Sequence, residues 1–118
     1  MSFYQKQLGK IGEQRAVDYL KNNGFTIVKK NFRAYTGEID IIAKKQNCLY
    51  FIEVKTRSNL KKGQPWEAVN KIKIYHIKKT ANYFLLKYGY KEYKLKIGVI
   101  SVLLGVDEKI KFFDDLGI

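Results

Sequence analysis

Two runs rich in Ile, Phe and Val, Glu38–Lys44 and Cys48–Thr56, flank the short connection Gln46-Asn47. Apolar strands joined this tightly form an antiparallel hairpin, and a two-residue turn fixes its register. Lys45 then pairs with Cys48, Asp40 stands opposite Glu53, and Glu38 stands opposite Lys55. Directly opposed residues share a face, with Cβ atoms about 4.5–5.5 Å apart. Period-two alternation puts Glu53 and Lys55 on one face and Val54 on the other. Two carboxylates and an ammonium therefore converge on one small patch, and a one-residue slip would scatter them.

Carboxylates this close repel unless positive charge lies between them. A hard divalent cation fits, because Mg²⁺ takes oxygen ligands from one or two carboxylates, with water and substrate phosphate completing its shell. Such an ion polarises a phosphodiester and supplies hydroxide. The lysine then steadies the nucleophile or the developing charge. The same spacing also fits a solvated cross-strand ion pair, Glu38 or Glu53 with Lys55, and such pairs are common.

Glu13 bears on that choice. On the first helix it aligns with Gly9, Ala16, Val17 and Leu20, the side that faces the sheet. Gly9, Gly12 and Ala16 are small enough to let the helix approach closely. A glutamate at the edge of a buried face rarely stays unpaired, so Glu13 is either a third carboxylate of the site or the partner of a lysine at the core's edge. On the second helix Lys73 shares a stripe with Val69, Ile77 and Ala81. It reaches toward the site or a phosphate, or it snorkels to water.

The rest of the chain supplies the frame. A first helix spans about Gln5 to Asn23 and closes at Asn22-Asn23-Gly24. Phe25–Phe32 is a strand, turned back through Tyr35-Thr36-Gly37. After the loop Arg57–Gln64, Pro65 opens a second helix that runs to Tyr88 and stops at Gly89. Tyr93–Leu104 and Lys109–Phe113 are strands. The expected architecture is α/β, a sheet of mixed strand direction covered by helices, in one domain over residues 1–118.

Hydrophobic residues make up 46% of the chain, as in a folded globular protein. No apolar run approaches the roughly 18 residues of a membrane helix, and Met1–Lys6 lacks the apolar segment of a signal peptide. Cys48 is the only cysteine, which excludes an internal disulfide and fits a reducing cytoplasm. Lys and Arg number 23 against 11 Asp and Glu, a net charge of +12. Such an excess is an electrostatic footprint for phosphate backbones, although a lysine-rich chain kept soluble by its charge would share it. Arg33, Arg57, Lys61 and Lys62 flank the acidic patch in sequence and suit phosphate contacts. Tyr35 and Trp66 suit base stacking, with packing as the plainer alternative. His76 is the only histidine, so no zinc cluster is available, and no nucleotide-cradling Gly-x-x-x-x-Gly-Lys-Ser/Thr loop is present.

Taken in order, Gly9-x-x-Gly12-Glu13, Asn31-Phe32-Arg33, Gly37-Glu38-Ile39-Asp40-Ile41-Ile42-Ala43, Phe51-Ile52-Glu53-Val54-Lys55-Thr56-Arg57 and Gly63–Val69 with Lys73 resemble the YraN (UPF0102) family along nearly the whole chain. That family is similar to the PD-(D/E)XK nuclease superfamily, with a restriction-endonuclease-like fold, and its parallels there are archaeal Holliday junction resolvases. The resemblance implies a core order αβββαβ, Mg²⁺ or Mn²⁺ as cofactor and DNA as partner. It implies metal ligation by Asp40 and Glu53, with the Val54 carbonyl and Glu13 joining them, and Lys55 as the residue that orients or activates water. Lys73 matches the basic position on the second helix. Resolvase-like enzymes act as dimers, which leaves a homodimer open here. Where the family carries Arg-Phe-Asp at the strand after the second helix, this chain has Lys96-Ile97-Gly98, without the acidic side chain.

The leading expectation is a divalent-metal-dependent nuclease acting on DNA, with branched or structured DNA among its substrates. The alternative is a non-catalytic nucleic-acid-binding module on a nuclease fold, alone or within a DNA-processing assembly. Carboxylates at the centre of a basic patch weigh against simple phosphate binding.

Overall fold

The computed structural model describes residues 2–117; Met1 and Ile118, the ends of the expected 1–118 domain, lie outside the described residues. The chain opens with α1 (Phe3–Asn22), started by a capping box in which the Ser2 hydroxyl accepts from Gln5 N–H and the Gln5 side chain accepts from Ser2 N–H. Gly12, Ala16, Val17 and Leu20 are its buried stripe. Gly12 sets the approach to the sheet, because a Cβ there would overlap the Thr56 side chain. Gly9 has open space beside it and plays no such part.

Strands β1 (Thr26–Ala34), β2 (Gly37–Lys45) and β3 (Cys48–Arg57) form an antiparallel meander. β4 (Lys94–Leu103) lies parallel to β3, and β5 (Lys109–Phe113) returns antiparallel, giving the spatial order β1-β2-β3-β4-β5. A parallel step needs a crossover, and α2 (Lys71–Tyr88) lies within it. α1 covers one face, packing Ala16, Val17 and Leu20 with Ile41, Ile52 and Ile100. α2 covers the other, packing Ile77, Ala81 and Phe84 with Ile42, Leu49 and Phe51. The result is a mixed α/β sheet flanked by helices, with core order αβββαβ and an added edge strand, compatible with a restriction-endonuclease-like fold.

The second helix begins at Lys71 and not at Pro65. Pro65–Ala68 makes a single 3₁₀ turn, closed by Glu67 Oε1, which accepts from Gln64 N–H at 3.0 Å. Val69 is extended, and Asn70 caps α2 by accepting from Lys73 N–H at 2.9 Å. Proline favours the first turn of either helix type, so the capping asparagine decides the start.

The β2–β3 register follows the two-residue turn from Lys45↔Cys48 to Ile41↔Ile52 and ends there. The backbone opposition of Asp40 with Glu53, and of Glu38 with Lys55, is therefore not formed. Asp40 Oδ2 accepts from Val54 N–H at 2.8 Å, so a side chain takes up a donor that a regular ladder would give to the neighbouring strand. Glu38 pairs instead with Arg33 on β1, at 2.9 Å.

Candidate active site

Along β2, Ile41 and Ala43 pack in the cluster beneath α1, whereas Ile39 packs in the cluster beneath α2. A regular strand would place residues 39 and 41 on one face, so the alternation fails at Asp40. Asn31 lies on β1 between the pairs Lys30↔Ile41 and Phe32↔Ile39 and has φ of +54°, a left-handed conformation that asparagine tolerates better than most residues. At the same level the β2–β3 ladder has ended. These irregularities open one end of the sheet, and a cleft of about 770 Å³ lies over it. Asn31 lines that cleft, and sequence reasoning passed over it as a site residue. An asparagine inside a β run was the available signal.

Of the catalytic, metal-ligating and phosphate-contact candidates read from the sequence, all but Lys61 line the cleft. Lys61 lies on an exposed turn in which Asn59 Oδ1 accepts from its N–H at 3.0 Å, while Lys62 is brought in. Tyr35 and Trp66 are also outside the lining, and Trp66 packs edge-on against Phe113 at 5.5 Å.

Glu53 is the most enclosed of the charged groups, only 5% exposed. Its Oε1 lies 3.4 Å from Lys73 Nζ and 3.8 Å from Lys55 Nζ. Lys73, expected to reach toward the site or a phosphate or to snorkel to water, is paired with Glu53 from the capped first turn of α2. Burial pushes the Glu53 carboxyl up to about 7; the Asp40 charge adds to the rise, and the two lysines oppose it. Burial also raises Asp40, against the pull of the Val54 N–H and the same lysines. Glu13 is raised by its own burial and then by Asp40, with Lys30 opposing.

The three carboxylates share a cleft without closing on one another. Among the described residues, no three Asp, Glu, His or Cys side chains gather tightly enough to hold a metal ion between them. A cation here would meet Asp40 and Glu53, with Glu13 set apart on α1. Two oxygen-donor carboxylates beside open space suit a hard divalent ion that keeps water or phosphate in its other positions.

Gly98 occupies the place of the acidic residue in the Arg-Phe-Asp pattern, and it lies outside the cleft lining. A Cβ there would come within 2.7 Å of the Phe113 carbonyl oxygen. Lys96 is engaged with Asp115 at 2.9 Å. The departure therefore removes nothing from the cleft.

Residues 12–102 match the family described as "Uncharacterised protein family UPF0102". The chain is 41% identical over 106 residues to a UPF0102 protein of Caldicellulosiruptor saccharolyticus, covering 90% of each chain. It is 45% identical over 100 residues to a UPF0102 protein of Caldicellulosiruptor bescii, covering 84% of each. A UPF0102 protein of Clostridium botulinum is 44% identical over 105 residues, 88% of this chain and 85% of that one.

Proposed function

The chain belongs to the UPF0102 family, and we propose that it is a divalent-metal-dependent nuclease that hydrolyses phosphodiester bonds in DNA, branched or structured DNA included. One observation carries this reading: a buried glutamate, Glu53, is held beside Asp40 and two lysines at the opened end of the sheet. A carboxylate kept out of water at such cost is typical of functional sites. The net charge of +12 supports a polyanionic partner.

Asp40 and Glu53 would hold Mg²⁺ or Mn²⁺, with the Val54 carbonyl beside them and Glu13 as an outer carboxylate. When bound, the ion polarises the phosphodiester and lowers the pKa of a water molecule. Lys55 orients the attacking water, and Lys73 offsets the charge that develops on the phosphate oxygens. Asp40 holds the main chain at Val54 through its N–H, which fixes Glu53 and Lys55 on either side. Arg33, Arg57 and Lys62 contact the flanking phosphates. No helix among the described residues is long and apolar enough to cross a membrane, and the proposed setting is the cytoplasm.

One observation favours a second reading. Lys73 and Lys55 already supply positive charge to Glu53, which suits a nucleic-acid-binding module that never takes up a metal. Labelled four-way junction, flap, single-stranded and linear duplex DNA separate the two, incubated with Mg²⁺ or Mn²⁺ and wild-type or Glu53→Ala protein. The nuclease reading expects metal-dependent cleavage that falls by about 10²-fold or more in the variant. Absent cleavage on every substrate, with salt-sensitive binding unchanged by the substitution, would leave the binding module.

A further inference from the structure

The outer face of α2 carries features that packing does not explain. The helix contains five lysines and no acidic residue, and among the described residues only Lys73 of these five makes an ion pair. Ile77, Phe84 and Leu85 are spent on the core, while Ile72 and Leu86 stay exposed. Outside, Tyr75, Lys79, Tyr83 and Lys87 follow one another at four-residue steps, so they form one ridge. Lys79 Nζ lies 5.1 Å from the Tyr75 ring centre and Lys87 Nζ 5.4 Å from that of Tyr83. Rings and cations alternate along about 18 Å of helix.

The β1–β2 turn adds a third ring. Tyr35 is 96% exposed, yet its turn is fixed to α2. The Thr36 and Thr80 hydroxyl oxygens are 2.8 Å apart, and the Thr80 hydroxyl donates to the His76 carbonyl at 2.9 Å. His76 and Thr80 are the sequence neighbours of Tyr75 and Lys79, so Tyr35 is fastened beside that part of the ridge. Gly37, at φ of +145°, lets the turn seat there. From this turn β2 leads to Asp40, and from this ridge α2 leads back to Lys73, so the surface is rigidly joined to the cleft.

Exposed aromatic rings interleaved with lysines that have no carboxylate partner among the described residues suit an anionic chain with flat, accessible bases. A duplex offers phosphates but hides its base faces. A bilayer would need a continuous apolar face on the helix, and the exposed aliphatic residues of α2, Ile72 and Leu86, stand near its opposite ends with Lys79 between them. We propose that Tyr35, Tyr75 and Lys79 form a docking surface for an unpaired nucleic-acid strand that leaves the cleft, with the tyrosines stacking on bases and Lys79 pairing with phosphate. This rests on the nuclease reading only in taking the cleft as the place where a phosphodiester enters.

The test is fluorescence anisotropy in EDTA with labelled oligothymidylate, an abasic strand of equal length and a blunt duplex. Wild type is compared with Tyr35→Ala, Tyr75→Ala and Lys79→Gln. The expected result is tighter binding of the base-bearing strand than of the abasic one. Each tyrosine substitution should weaken strand binding by about 5- to 100-fold and leave duplex binding unchanged. Lys79→Gln should lower the salt slope for the strand by about 0.7. Equal affinity for abasic and base-bearing strands overturns the proposal, as does a tyrosine effect that is the same on duplex and strand. Binding to phosphatidylserine vesicles that is lost in the tyrosine variants, with strand binding untouched, also overturns it in favour of a membrane surface. Because EDTA prevents cleavage, strand docking can succeed where the nuclease reading fails, and the reverse.

Discussion

From Lys45↔Cys48 to Ile41↔Ile52 the β2–β3 hairpin is a regular ladder with Ile42, Ala43, Leu49 and Phe51 fully buried, whereas beyond it the same strands part and carry Asp40 and Glu53 into the cleft. The two ends share a backbone, a turn and neighbouring strands. They differ in what satisfies the main chain. At the closed end each strand bonds its neighbour; at the open end the Asp40 carboxylate accepts from Val54 N–H. They also differ in what is buried. Apolar burial stabilises the closed end, while the open end buries a carboxylate whose ionisation the fold disfavours. A hairpin can thus be optimised for stability over part of its length and hold a strained charge over the rest, because the closed end fixes the register for both.

The largest expected effect breaks the closed end. Phe51 is fully buried and packs edge-on against Phe84 at 5.9 Å. Phe51→Ala removes that volume from between α2 and the sheet and should cost about 3–5 kcal/mol, read as a lower urea midpoint. A loss below about 1 kcal/mol would mean that the two ends are energetically alike and the contrast is wrong.

The next effect has the opposite sign. Glu53→Gln, two residues further along the same strand, removes a charge the fold resists. With the folded carboxyl near 7 against an ordinary 4.5, wild type loses stability as pH rises between those values, because the unfolded chain ionises first. Below 4.5 the variant and wild type should be equally stable. Above about 7 the variant should be more stable by about 1–3 kcal/mol in the absence of metal. Urea midpoints from pH 4 to pH 8 check this. A difference independent of pH would assign the effect to packing.

The closed end was legible because turn length and apolar content determine it. Gln46-Asn47 fixed which residues pair, and Lys109–Phe113 likewise stood out as a strand after the turn at Val106-Asp107-Glu108. The gathering of Asp40, Glu53 and Lys55 in one cleft was legible as well, since they lie on strands whose register was set elsewhere. Its geometry was not. Where the ladder stops depends on a side chain bonding the main chain at Val54, and alternation alone extends the ladder through Asp40. Asn31's left-handed backbone needs β2 beside it to have meaning. Local choices between comparable signals also went unread: Pro65 and Asn70 both suit a helix start, and the cap won. Lys61 and Lys62 are chemically alike, and the turn at Asn59 decides which one lines the cleft.

The finest test sharpens the comparison at a single hydrogen bond. Asp40→Asn and Asp40→Ala both remove the charge, so both escape the penalty that burial places on the carboxylate. Only asparagine keeps an oxygen acceptor for Val54 N–H. If that bond replaces the missing ladder, alanine leaves a partly buried donor unpaired and should be less stable than asparagine by about 1 kcal/mol at every pH. The same bond governs how often the Val54 amide meets water. Its hydrogen exchange should be faster in the alanine variant by about the matching factor of 5–10, with Ile52 at the end of the ladder unchanged. Equal exchange at Val54 in the two variants would mean that another acceptor takes its place, and that the strands close when the carboxylate is gone.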